Sequence, residues 1–445
     1  MKPKTRVKSI LIGILASQRL QVFRQRMARL QRRGKPTVHY FHQVDDPYSH
    51  LAVQRVDEIG RKYRVNLVPH LTSGEADSYR GDAALYPRWA LTDARAIAAG
   101  YRVSFPAVAE VPPDPARVAA NNTLAAHLAR PDFAAVAIAV GEAFWSGSLS
   151  ANESTPEADL AIAVGNRRRR QLGHYAGGMF YFEGEWYWGL DRLYLLEARL
   201  VAEGLGESPL LQPRPVPVAT GPVDAKDVTL EYFPSLRSPY TAISFEATRA
   251  LAKRTGARLV TRPVMPMMMR GVPAPRRKQV YIMTDAAREA RASHVPFGRI
   301  VDPFGEPVKR AFALLPWVIE QGRLEAFVGE YLAAAWAKGI DVTSDKGLAE
   351  VVSAAGLDWA TATTHLADTA EAEAILDANV NDMLAAGLWG VPSYRVSGGT
   401  LSGSYSCWGQ DRLWRVEAEI IERAGVGVAW CSNTTKTEAE AGAGR

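Results

Sequence analysis

Apolar residues gather in short blocks at several places along the chain, and one such block hands over to a helical pattern through an unusual turn. Val228 to Tyr240 reads V-T-L-E-Y-F-P-S-L-R-S-P-Y. Val228, Leu230, Tyr232 and Phe233 form an apolar run with partial alternation, which predicts a strand. Ser238-Pro239 then opens a helical pattern from Tyr240 to Leu251. Serine at the N-cap accepts a hydrogen bond from an otherwise orphaned backbone N–H, and proline suits the first helical position, where its missing N–H costs nothing. The Ser238 hydroxyl therefore falls at the positive end of a helix dipole, where an anion or thiolate is stabilised. Taken by itself, the same residue does no more than cap a helix.

Helical spacing returns at Arg276 to Ala292, Pro307 to Gln321, Arg323 to Lys338 and Thr369 to Ala386. Pro316 is expected to kink or split its helix, because proline removes a backbone donor and clashes with the preceding turn. Trp389 to Ser404, W-G-V-P-S-Y-R-V-S-G-G-T-L-S-G-S, reads as a strand, a Ser-Gly-Gly turn and a second strand. Val391-Pro392 stands at the start of the first of these, where proline is tolerated. Met265, Met267, Met268 and Met269 suit either an adaptable apolar lining or plain core filling.

The opening pattern occurs twice. Val38 to Tyr48 reads V-H-Y-F-H-Q-V-D-D-P-Y, and Tyr40, Phe41, Pro47 and Tyr48 fall on Tyr232, Phe233, Pro239 and Tyr240 at a spacing of 192 residues. Leu67-Val68, Thr92-Asp93 and Phe105 fall on Leu259-Val260, Thr284-Asp285 and Phe297 at that spacing. Trp145 matches Trp336 with a slip of one, and W-G-L-D-R-L from Trp188 matches W-G-Q-D-R-L from Trp408. The chain reads as an internal duplication of one domain. The copies differ where chemistry is expected. Asp46 stands in place of Ser238, and Ala176-Gly177-Gly178-Met179 in place of Gly390-Val391-Pro392-Ser393. Aspartate caps a helix as well as serine does, but its charge repels a thiolate. The first copy is thus expected to keep the fold and lack the site, unless Asp46 and His42 form an acid/base pair of their own.

The 445 residues exceed one ordinary core, and the expected layout is a basic arm at 1–35, domains at 36–203 and 228–424, a proline-rich linker at 204–227 and a disordered tail at 425–445. Residues 1–35 hold 11 Lys or Arg and no acid, so the net charge of +6 is local and the rest of the chain carries −5. That balance argues against a nucleic-acid partner, and the run Arg167 to Arg170 reads as a solvated helix face. Ser9 to Arg33 reads as a basic, partly amphipathic helix. It either rests on an anionic membrane surface, packs on a domain or stays solvated. Its apolar stretch is too short to span a bilayer. The only cysteines are Cys407 and Cys431, with no C-x-x-C. That argues against a disulfide framework, a metal cluster and a dithiol redox centre. Cys407 reads as a buried, inert residue.

The second half resembles the 2-hydroxychromene-2-carboxylate isomerase family, relatives of kappa-class glutathione transferases and DsbA-like proteins. The matching stretches are Y-F-P-S-L-R-S-P-Y (232–240), K-Q-V-Y-I-M-T-D (278–285), A-W-A-K-G (335–339), G-L-W-G-V-P-S-Y (387–394) and W-G-Q-D-R-L (408–413). The resemblance implies an α/β fold of two tandem thioredoxin-like domains, each with an inserted helical subdomain. It implies a cis Val391–Pro392 bond beside Ser238 and glutathione as a recycled cofactor. In this reading Ser238 holds the thiolate, and Val391 and Pro392 align the cysteinyl part. Gln410 and Asp411 hold the γ-glutamyl end, although Asp411 also reads as a helix-start carboxylate paired with Arg412. Tyr240, Arg270, Lys278 and Trp389 line the pocket of an aromatic small molecule. The implied activity is a cytoplasmic, glutathione-dependent isomerase working through a thiolate adduct. A kappa-like transferase and a non-redox binding scaffold are the alternatives. One departure stands out: Met269 to Pro273 lacks the asparagine usual in the family, leaving Arg270 or Lys278 to face an acidic substrate.

Overall fold

The computed structural model describes residues 3–107, 111–150 and 153–430. The chain divides into two compact units: Val22–Val218, and Ala219–Val428 together with the N-terminal residues up to Gln21. This boundary falls inside the proline-rich stretch 204–227. The stretch begins fastened to the first unit, where the Leu211 and Gln212 N–H groups both donate to the Glu197 carboxylate at 2.8 Å.

The second unit is built on a four-stranded sheet in the order Arg258–Thr261, Val228–Phe233, Ser393–Gly398, Ser404–Trp408. The first pair is parallel and the other two antiparallel. Val228–Phe233 is central and almost wholly buried, which explains its near-continuous apolar run. Its one charged residue, Glu231, is met across the sheet by Arg395 and by Arg262, the latter at 2.8 Å. A parallel pair needs a crossover, and helix Pro239–Thr255 supplies it. That helix ends at Gly256, whose φ of +77° is the left-handed cap conformation that glycine adopts without strain. Phe245, Leu251 and Ala252 from its inner face join Leu230, Tyr232, Tyr394 and Val396 in the core. Cys407 lies in that core too.

Between the parallel pair and the hairpin run seven α-helices, from Arg276–Ala292 to Ala370–Ala385. Pro316 divides Glu306–Ala313 from Leu315–Glu320 as its chemistry requires. Two of the seven, Asp345–Ala354 and Trp359–Thr364, lie outside the helical stretches expected from the sequence, and the first buries Leu348, Val351 and Val352 at helical spacing.

The first unit has a sheet of the same order and the same directions: Asn66–Leu71, Thr37–His42, Met179–Phe182, Glu185–Trp188. Individual contacts repeat as well. Tyr48 donates to Asp93 and Tyr240 to Asp285, each at 2.8 Å. Asp46 accepts from Ser49 N–H at 3.0 Å, and Ser238 from Thr241 N–H at 3.1 Å. Phe105 packs on Trp145 at 5.4 Å between centroids, and Phe297 on Trp336 at 5.9 Å.

Three details depart from the sequence reading. The basic N-terminal segment is two helices, Pro3–Ala16 and Gln18–Gln31, broken at Ser17, whose hydroxyl donates to Ile14 C=O and accepts from Leu20 N–H. Arg169 is not on a solvated face. It is fully buried and donates to Ser73 C=O at 2.8 Å, whereas Arg167 and Arg170 are exposed. Residues 428–430 form a short strand inside the expected disordered tail. Residues 431–445, including Cys431, lie outside the described residues.

Candidate functional site

The site is assembled around the start of helix Pro239–Thr255. Ser238 has extended backbone (φ −110°, ψ 118°), and its Oγ accepts from Thr241 N–H. A serine cap of this kind is worth about 1 kcal/mol to the helix. The same oxygen lies 3.4 Å from Val391 C=O, to which it donates. Val391–Pro392 is a cis peptide bond, as the resemblance implied. Pro392 C=O accepts from Gly409 N–H at 2.9 Å, which ties this turn to the start of the last helix. Among the described residues, no backbone bond outside the sheets and helices uses Val391 N–H.

The turn is walled by aromatic rings. Trp389, fully buried, lies 5.1 Å from Trp408 between centroids. A Cβ at Gly390 would stand 2.2 Å from the Trp408 ring, so only glycine lets the indole pack there. Arg270 reaches the same turn, donating to Trp389 C=O at 2.6 Å and to Met265 C=O at 3.0 Å. Burial lowers its guanidinium to about 10. No carboxylate pairs with it among the described residues.

Helix Arg276–Ala292 presents an unusual buried row: Lys278, Tyr281, Asp285, Arg288 and Glu289. Burial pushes the Lys278 ammonium down to about 8. Asp285 accepts from Tyr240 and from Arg288, both at 2.8 Å. Glu289 accepts from the Gln410 amide at 2.8 Å. The expected site residues Tyr240 and Gln410 are therefore held from one helix, through Asp285, named from the sequence only as a repeated position, and through Glu289, which the sequence reading did not single out. Asp411 turns its Oδ1 towards Gly409 and lies 3.6 Å from Arg412, the helix-start arrangement given above as its structural alternative.

Residues 229–420 match the family model described as the DSBA-like thioredoxin domain. This stretch is a DsbA-like thioredoxin domain. Among curated proteins no relative matches the chain. Solved structures similar to it include a 2-hydroxychromene-2-carboxylate isomerase, at 19% identity over 43% of this chain and 94% of that one, with a TM-score of 0.36. A probable DsbA oxidoreductase from Streptomyces coelicolor has 20% identity over 43% and 89%, with a TM-score of 0.34. The cytosolic disulfide reductase DsbM from Pseudomonas aeruginosa has 18% identity over 44% and 98%, also with a TM-score of 0.34.

The DsbA-like domain has a hydroxyl at its helix start and no thiol beside it. Its one cysteine within residues 229–420, Cys407, pairs across the sheet with Tyr394 and is buried. The residue just before Ser238 is also fixed. Arg237 forks onto Asp302 at 2.8 and 3.1 Å and lies over the Phe304 ring at 4.4 Å. Asp302 in turn meets Lys8 of the N-terminal helix at 2.8 Å. Burial raises the Asp302 carboxyl, but the two cations outweigh it and hold it below the usual range. No local pattern signals Arg237, because its partner lies 65 residues away.

The corresponding place in the first unit is closed. Strand register sets Met179 opposite Phe41 and Ser393 opposite Phe233, so Gly178 occupies the position of Pro392. A Cβ at Gly178 would lie 3.0 Å from Asp46 Oδ2, and one at Gly177 would lie 2.5 Å from the Gln43 side chain. The glycine backbone thus packs directly on the cap. Burial, against the opposing hydrogen bonds from Ser49, raises the Asp46 carboxyl to about 6. His42 is buried against Tyr40 at 3.0 Å, and burial lowers it to about 3.

Proposed function

We propose that the DsbA-like domain works with a bound low-molecular-weight thiol, glutathione, and acts as an isomerase resembling 2-hydroxychromene-2-carboxylate isomerase. The observation that carries the reading is Ser238. A hydroxyl stands at the N-terminus of a 17-residue helix, turned to the Val391–Pro392 bond, where a disulfide-exchanging protein needs a thiolate. Such a hydroxyl can donate to a ligand thiolate, and the helix end adds to its stabilisation. When bound, the thiol would supply a nucleophile that adds reversibly to a conjugated double bond and leaves unchanged, so no oxidant would be needed, whereas a transferase would release the conjugate. Ser238 would hold the thiolate, and Val391 and Pro392 would align the cysteinyl part. Arg270, cationic and without a carboxylate partner among the described residues, supports an acidic group on the substrate. Trp389, Tyr240 and Lys278 complete the proposed pocket, and a reducing cytoplasm is where this cofactor is available.

We read the first unit as a second copy of the same fold. The support is the shared strand order and the paired contacts Tyr48–Asp93 and Tyr240–Asp285. Glycine packing on Asp46 leaves that copy without this site.

A second reading, a non-redox binding scaffold, is favoured by one observation. The Gln410 amide is already engaged by Glu289 and would have to release it to hold a γ-glutamyl group. Calorimetric titration of reduced glutathione into the whole protein tests the two. Saturable heat that is lost in Ser238→Ala and kept in Asp46→Ala supports the thiol reading. No heat at millimolar glutathione rejects it.

A further inference from the structure

Helix Pro3–Ala16 is apolar on two opposite sides, and only one of them is used by the domain beneath it. Ala16 is buried in the core of the second unit and Ile12 packs against that core. Ser9 donates to Ile300 C=O, and Gly13 sits where a Cβ would lie 3.4 Å from Gly298 C=O. At about 100° per residue, positions 9, 12, 13 and 16 share one side of the helix. Val7, Ile10, Leu11 and Ile14 share the other, at spacings of three, four and seven. These four are 59, 54, 62 and 50% exposed. A soluble domain seldom leaves such a row bare, since each large apolar side chain gains by leaving water. Arg6 and Lys8 flank the row, one on each edge.

We propose that this outer face docks on an anionic lipid bilayer surface. Charge complementarity selects that occupant. The stretch up to Gln21, which belongs to the helix's own unit, carries Lys2, Lys4, Arg6, Lys8 and Arg19 and no acid. Basic residues beside an apolar row match a layer of anionic headgroups over acyl chains. The helix lies in the plane of the surface and does not cross it. Among the described residues, no helix is long and apolar enough to span a membrane. Docking would leave the inner contacts intact, because Ser9, Ile12 and Ala16 face the other way.

The test is flotation of the full chain with vesicles of phosphatidylglycerol and phosphatidylcholine, against phosphatidylcholine alone. The expected result is binding to the anionic vesicles only, weakened by salt as exposed charge pairs are screened. In the double variant Leu11→Asp/Ile14→Asp, affinity should fall by roughly tenfold or more. Both positions are exposed, so the variant should keep the circular dichroism and melting temperature of the parent. Absence of vesicle binding by the parent, or undiminished binding by the variant, overturns the proposal. So does a dimer, measured by light scattering, that the same variant dissociates, since the face would then belong to a second copy.

Discussion

The hydroxyl oxygen of Ser238 stands 3.4 Å from the carbonyl oxygen of Val391, a residue 153 positions further along the chain. Two separate roles meet in that hydroxyl: it caps a helix, and it faces the turn where a ligand thiol would lie. Ser238→Ala is therefore expected to cost about 1 kcal/mol in stability through the lost cap and to abolish glutathione binding. Ser238→Cys keeps the position and changes the chemistry. In a Cys431→Ser background its thiol should alkylate with an apparent pKa below the usual value of about 8.5, because the helix N-terminus favours thiolate. Cys407, being buried, should react slowly. Iodoacetamide rates against pH give both values, and an apparent pKa at or above the free value would remove the helix-end argument.

Asp302 links the N-terminal helix to the loop that carries Ser238. Its side chain is 7% exposed and holds both Arg237 and Lys8. Removing its charge leaves Arg237 largely buried without a counter-ion, so Asp302→Asn is expected to cost about 2–4 kcal/mol. Lys8 is 53% exposed, and Lys8→Ala should cost less than about 1 kcal/mol. Denaturant midpoints separate the two. Equal effects would mean that the network contributes nothing beyond surface pairing.

Asp46 has a carboxyl raised to about 6 by burial. Above its unfolded pKa of 3.8 the unfolded chain gives up this proton while the folded chain keeps it, so stability attributable to Asp46 falls as pH rises towards 6. Above that, the cost stays constant at about 3 kcal/mol, from roughly two pKa units. The buried His42 and His50, lowered to about 3 and 4, act in the opposite sense. Below pH 6.5 the unfolded chain takes up protons that the folded chain refuses, and stability falls with falling pH. Asp46→Asn keeps a good capping residue and shares the histidine slope with the parent. The difference between the two proteins should open between about pH 4 and pH 6 in favour of the variant, then stay flat. A flat difference throughout would show that the carboxyl is not held above its normal range.

Gly165 lies inside helix Pro156–Gln171, where alanine would ordinarily gain about 1 kcal/mol by propensity. Here a Cβ would stand 1.9 Å from Leu71 C=O on the neighbouring strand. Backbone cannot swing aside as a side chain can, so the clash outweighs the propensity. Gly165→Ala is expected to lose about 2 kcal/mol or more, within the range for overpacked interiors. A neutral or stabilising result in thermal melts would mean that the helix can move off the sheet at little cost.

Much of the frame was legible in the sequence because it rests on short-range rules. The run Val228–Phe233, the Ser238-Pro239 helix start and the split at Pro316 follow from burial pattern, capping and the missing proline N–H. The 192-residue spacing likewise pointed to paired elements, and the contacts Tyr48–Asp93 and Tyr240–Asp285 fall on it. What only the tertiary structure decided is which polar groups are already taken. Gln410 reads as an available amide until Glu289 is placed against it, and nothing near Arg237 in the sequence points to Asp302, 65 residues away. Arg169, in a run of four arginines, is the one fully buried. In each case the partner comes from a distant segment, and the cost of burying a polar group is set by that partner rather than by its neighbours in sequence. The helix Pro3–Ala16 is the same lesson on the apolar side. The sequence reads there as a basic, partly amphipathic helix, and only the docked fold separates the face that joins the core from the face left outside.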